Sequence, residues 1–171
     1  DLKINDIPQT ALSAVDSLKD LKKCKYITVH ANGGLNMLKA IKEKTSEINK
    51  DLKVLGVTVL TSLNNESLKE IGYTATVEQL VLKQAGIVKK SGCDGIVCSA
   101  KEAKMIRNKY KNFLIVTPGI RLPGDSLNDQ ARVMTPKDAF KNKVSGVVMG
   151  RSLTKGNIKL NIKKLIDHLS Q

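Results

Sequence analysis

The sequence predicts an α/β fold: most of a (β/α)8 barrel in one domain over residues 1–171. Two observations carry this reading. Short β-rich runs alternate with helical patterns along the whole chain, and unusual polar residues gather where those runs end. The runs are DLKI at the start, YITVH (26–30), VLGVTVL (54–60), GIVCS (95–99), FLIV (113–116) and GVVMG (146–150). The later runs are nearly continuous in apolar residues, as strands of a parallel sheet covered by helices are.

Between the runs, apolar residues recur at helical spacing in LSAVDSLKDL (12–21), LNMLKAIKEK (35–44), VEQLVLKQAGIVKK (77–90), AKEAKMIRNKY (100–110) and PKDAFKN (136–142). A terminal amphipathic helix is expected from Ile158 to Leu169. Thr135, Pro136 and Asp138 mark a helix start, with a hydroxyl N-cap, proline at N1 and an acid in the first turn. No GxGxxG follows the first run, so a dinucleotide-binding fold has no support. Six strands do not close an eight-stranded barrel, and such barrels run to about 200 residues or more. The expectation is therefore strands 3 to 8 with their helices.

Composition narrows the function classes. The chain is 41% hydrophobic and 26% charged, ordinary for a soluble domain. No apolar run reaches the length of a membrane span, and no signal peptide is evident, so a cytoplasmic location is expected. Cys24, Cys93 and Cys98 are odd in number and form no CxxC pair, which favours reduced, buried thiols. No His/Cys/carboxylate grouping has metal-ligand spacing, and no cofactor is expected.

The formal charge of +13 comes from 29 basic against 16 acidic residues. Such a field attracts anions. A polymeric nucleic acid is disfavoured, because the lysines are dispersed and aromatic residues make up only 3% of the chain. The arginines are four: Arg107, Arg121, Arg132 and Arg151. Three of them fall in the last third, among glycines and prolines, which suits a small phosphorylated ligand.

The opening DLKINDIPQT poses a question of charge. Alternation along a strand would put Asp1 and Lys3 on one face, with Leu2 and Ile4 on the other. Taken alone, Asp1, Lys3 and Asp6 read equally well as a surface ion-pair cluster. Further motifs change that balance: VHANGG (29–34), LTS (60–62), VTPGIR (116–121), DQARVMTP (129–136) and GRS (150–152).

Together with DxKxxDIPxT at the start, and in this order, these segments resemble the orotidine 5'-phosphate decarboxylase family. That resemblance implies a (β/α)8 barrel whose third strand ends in the opening motif, with an upstream lysine and a ribose-binding aspartate missing here. It implies cofactor-independent decarboxylation of orotidine 5'-monophosphate in pyrimidine biosynthesis, by a homodimer with shared active sites. By the same resemblance Lys3 is the proton donor, Asp1 its carboxylate partner, and Asp6 with Thr10 reaches into the partner's site. Arg121, Gln130, Gly150 and Arg151 would contact the phosphate end of the substrate, in a loop and strand end bordered by Pro118. Thr61 and Ser62 would face the pyrimidine.

His30, in the VHANGG match, reads as a structural histidine, since an ammonium already supplies the proton. His168 reads as a surface residue. Three other readings compete. A sugar-phosphate decarboxylase of the 3-keto-L-gulonate 6-phosphate type shares DxKxxD, a basic nucleic-acid-binding module would account for the charge, and a remnant without the upstream lysine would be inactive.

Overall fold

The computed structural model describes residues 1–21, 23–125 and 132–170. The chain divides into two compact units, Asp1–Thr58 with Glu78–Val97, and Val59–Val77 with Cys98–Gln171.

The first unit is built on three parallel strands, β1 (Tyr26–His30), β2 (Lys53–Val57) and β3 (Gly95–Val97). Ile27 pairs with Val54 and Val29 with Gly56, and β2 continues the register with Leu55 opposite Gly95 and Val57 opposite Val97. Helix α1 (Pro8–Asp16) precedes β1, α2 (Gly34–Ile48) follows it after a 3₁₀ turn at Ala31–Gly33, and α4 (Val77–Lys90) precedes β3. The buried residues are those the patterns select: Val15 from α1, Met37, Leu38 and Ile41 from α2, Val81 and Val88 from α4, and Ile27, Val29, Val54 and Ile96 from the strands.

Two details fix this packing. Gly56 lets α4 lie against β2, for a Cβ there would stand 2.3 Å from Val88 Cγ2. Asp94 accepts from Val54 N at 2.9 Å and from Lys42 Nζ at 2.7 Å, tying the start of β3 to β2 and α2. Burial works to raise its pKa, but the Lys42 hydrogen bond, the Val54 amide and the nearby Lys53 outweigh it and hold the carboxyl below its ordinary value.

The opening segment is not the strand expected. Its only ladder contact among the described residues is a single parallel bridge, Ile4 with Val29. Lys3 has φ 55°, in the left-handed region that breaks an extended run. Its amide turns instead to the Thr28 hydroxyl, 2.9 Å away. Helix α1 also starts earlier than the apolar spacing suggested, because Pro8 occupies its first turn, and it ends at Asp16 rather than near Leu21.

The second unit carries β4 (Leu114–Thr117) and β5 (Gly146–Val147), paired in parallel with Val116 opposite Gly146. Around them lie α3 (Asn65–Glu70), α5 (Ala100–Lys109), α6 (Pro136–Lys141), α7 (Arg151–Thr154) and α8 (Ile158–Ser170). The expected cap of α6 is present, with Thr135 Oγ1 accepting from Asp138 N at 3.2 Å. Asn64 and Ser99 cap α3 and α5 in the same way. Arg107 staples the strand ends by donating to the Phe113 carbonyl, to the Lys143 carbonyl and to Ser145 Oγ. Beyond β4, Ile120 and Met134 form a parallel bridge.

Candidate active site

The opening motif does bring Asp1 and Lys3 together. Lys3 Nζ stands 2.5 Å from Asp1 Oδ2, and the other carboxylate oxygen accepts from Thr28 Oγ1, also at 2.5 Å. Strand alternation is not the cause. The left-handed turn at Lys3 hands its backbone amide to Thr28, and the same hydroxyl donates to Asp1, so one threonine organises both charged residues. Thr28 went unnoticed in the sequence. Its signal was there: on β1 it shares a face with His30, two residues on, in a run otherwise apolar at its centre.

The pair remains partly open to solvent, with side chains 43% and 60% exposed. His30, half-buried at the end of β1, is held below its ordinary pKa, first by burial and then by the Lys3 cation. It is therefore neutral near pH 7. Asp6 is turned to its own backbone: Oδ1 accepts from Ile7 N at 2.7 Å, at the entrance to α1. Thr10 is exposed on α1.

The second unit holds a separate pocket of about 250 Å³, lined by Arg121, Arg151, Lys155, Asp125, Ser152 and Gly124 among others. Three cations and one carboxylate line it, an excess of positive charge that suits an anion. Arg121 is 8% exposed and donates through Nη1 to the Ile120 carbonyl at 3.0 Å. Its Nε is buried with no partner among the described residues. A guanidinium so placed gains from a bound oxyanion, which fills the unmet donor capacity. Arg151 opens α7 directly after Gly150, and Pro118 lies half-buried where β4 ends. Thr61 is buried and Ser62 exposed in the turn that follows Val59 and Leu60. Gln130 lies outside the described residues. Sequence reasoning did not single out Lys155, an ordinary lysine in a lysine-rich tail. Nor did it single out Glu102, which reads as a common acid in a helix's first turn.

Among the described residues, no group of three or more His, Cys, Asp or Glu could hold a metal ion. No helix among them is long and apolar enough to cross a membrane. Cys93 and Cys98 are buried, and burial raises both thiols above their ordinary pKa. Neither is a nucleophile in waiting.

The model of the orotidine 5'-phosphate decarboxylase / HUMPS family matches residues 1–160. The chain belongs to this family. It is 42% identical over 155 residues to an orotidine 5'-phosphate decarboxylase of Idiomarina loihiensis, covering 90% of this chain and 67% of that protein. It is 43% identical over 169 residues to one of Buchnera aphidicola, covering 96% of this chain and 69% of the relative. The chain thus spans about two thirds of the length of these curated relatives. Among solved structures, an orotidine 5'-phosphate decarboxylase of Lactobacillus acidophilus superposes with a TM-score of 0.82 at 32% identity, over 99% of this chain and 73% of that one. With such neighbours, and with parallel-paired strands alternating with helices within each unit, the fold is part of a (β/α)8 barrel.

Proposed function

We propose that this chain decarboxylates orotidine 5'-monophosphate to uridine 5'-monophosphate, a carboxy-lyase step of pyrimidine biosynthesis. Family membership, with the Asp1–Lys3 pair seated on Thr28, carries the reading.

The chemistry accounts for that pair. Breaking the bond from C6 to the carboxylate releases CO2 and leaves an electron pair in the plane of the ring, where the π system cannot delocalise it. A fixed ammonium offsets this charge as it develops and then transfers its proton to C6. Lys3 is the group assigned this role, and it regains a proton from solvent after product leaves. Asp1 holds the ammonium in place through the 2.5 Å contact.

Arg121, Arg151 and Gln130 are assigned to the substrate phosphate, with Gly150 supplying backbone and Pro118 shaping the entry. Arginine suits the task, since its fork matches phosphate oxygens. Thr61 and Ser62 are assigned to the polar edge of the pyrimidine. Asp6 and Thr10 are assigned to the site of a second copy, so the working form is a homodimer. A cytoplasmic location and a single domain over residues 1–171 belong to the same reading.

The test is direct. The purified chain, given orotidine 5'-monophosphate, should release CO2 and accumulate uridine 5'-monophosphate without added metal or cofactor, and should leave a 3-keto sugar-acid phosphate untouched. A folded chain that turns over the sugar phosphate, or neither compound, overturns the proposal.

A further inference from the structure

Arg132 is 8% exposed and Glu102 only 4%. Their side chains meet at 2.7 Å, Arg132 Nη1 donating to Glu102 Oε1. A buried guanidinium is costly unless its charge and hydrogen bonds are answered, and among the described residues Arg132 leaves only Nε without a partner. Glu102 answers the charge from the first turn of α5, so the pair is neutral as a whole. Neither residue lines the anion pocket.

The remaining contacts are not those of a simple ion pair. Nη2 donates to two consecutive carbonyls, Val59 at 3.0 Å and Leu60 at 2.8 Å. Two successive carbonyls turned to one donor fix the course of the chain, and the next residue is Thr61. Two residues beyond Arg132, Met134 is sewn to the segment that holds Arg121: Met134 N donates to the Gly119 carbonyl, and Arg121 N donates to the Met134 carbonyl. One side chain thus connects the turn assigned to the pyrimidine with the segment assigned to the phosphate.

We infer that Arg132, anchored by Glu102, is a positioning residue that sets the spacing between the Thr61 turn and Arg121. It matches the two ends of one nucleotide and touches neither. The inference rests on the function proposed above. Lysine cannot substitute, because a point ammonium lacks the fork that serves a carboxylate and two carbonyls together. Once the spacing is lost, each end still binds its own fragment, and the intact nucleotide loses the advantage of binding both.

The experiment uses the full chain as wild type, R132K and E102Q, with two probes: 6-azauridine 5'-monophosphate by calorimetry and inorganic phosphate by NMR titration. In R132K the nucleotide Kd should rise about tenfold or more, and kcat/KM should fall by about 10²-fold, the order expected of a misplacement near 1 Å. The phosphate Kd should stay within about twofold, because Arg121, Arg151 and Lys155 are untouched. E102Q should shift the same quantities in the same direction, less far, and it decides the matter if R132K does not fold. Equal weakening of both probes, or an unchanged nucleotide Kd in a folded variant, overturns the inference. Wild type that binds phosphate but not the nucleotide overturns the proposed function, and this inference with it.

Discussion

At the scale of single residues, Lys3 combines a charge with an uncommon backbone state. A non-glycine residue at φ 55° is held there by its surroundings, and here the holding group is Thr28. The backbone contact and the Asp1 carboxylate place the ammonium beside Thr28, which suits the proton-donor role proposed for it. Lys3→Ala should leave the fold and nucleotide affinity largely intact while reducing kcat by more than the ~10²–10⁴ of a general acid alone, since counter-charge and proton vanish together. Lys3→Arg should not restore turnover, a guanidinium being far too weak an acid. A single-turnover assay that finds Lys3→Ala within tenfold or so of wild type would remove Lys3 from the mechanism.

His30 provides a pH test beside it. Its folded-state pKa is lowered, by burial first and by Lys3 second, so the folded protein binds fewer protons there than the unfolded chain. Stability from this residue is fully present above the ordinary histidine value of about 6.5 and drains away as the pH falls toward the lower folded-state value. Thermal unfolding followed from about pH 8 to 5 should show Tm declining more steeply in wild type than in His30→Gln. Parallel curves would refute the assignment.

At the scale of elements, the strands and helices with strong periodicity were legible. The helical patterns at 77–90 and 100–110 match α4 and α5 to within a residue, and the Thr135–Pro136 start of α6 sits where its capping chemistry put it. Shorter features were not, and each for a local reason. DLKI alternates like a strand, yet bonds to the Thr28 hydroxyl hold its first residues and leave it a single bridge to β1. The run 146–150 yields only two strand residues, and α7 is too short for any periodic signal. Gly56 shows how an element's packing can hang on a missing side chain. Gly56→Ala should destabilise the protein by about 1–3 kcal/mol, the usual cost of overpacking. Adding Val88→Ala should return part of that loss, because the new methyl then has room. Denaturant titration showing Gly56→Ala as stable as wild type would mean that α4 does not press on β2 as described.

At the scale of the whole molecule, the assignment of Asp6 and Thr10 to a second copy predicts complementation. In a dimer with shared sites, Lys3→Ala and Asp6→Ala subunits each supply what the other lacks at one of two sites. Co-expression of the two inactive variants should therefore recover roughly a quarter of wild-type activity. No recovery, in a preparation shown to contain mixed dimers, would place Asp6 in its own subunit's chemistry or outside it. The net charge of +13 belongs to this scale too. It raises the local concentration of anionic substrates and sharpens the salt dependence of their capture.

The sequence by itself determined the α/β class, the order of strands and helices, and the family, because these depend on periodicity and on motifs ordered along the chain. It also brought forward Lys3, Asp1, Arg121 and Arg151, whose residue types match the chemistry of a carbanion and a phosphate. Tertiary structure decided the rest. That Thr28 holds the opening pair, and that Arg132 reaches from Glu102 to the carbonyls before Thr61, are contacts between residues 25 to 73 positions apart. That Lys155 and Arg151 meet Arg121 at one pocket is likewise a matter of folding. No local pattern encodes such a meeting, because a hydrogen bond depends on where folding brings two atoms, and the residues between them carry no trace of the distance closed.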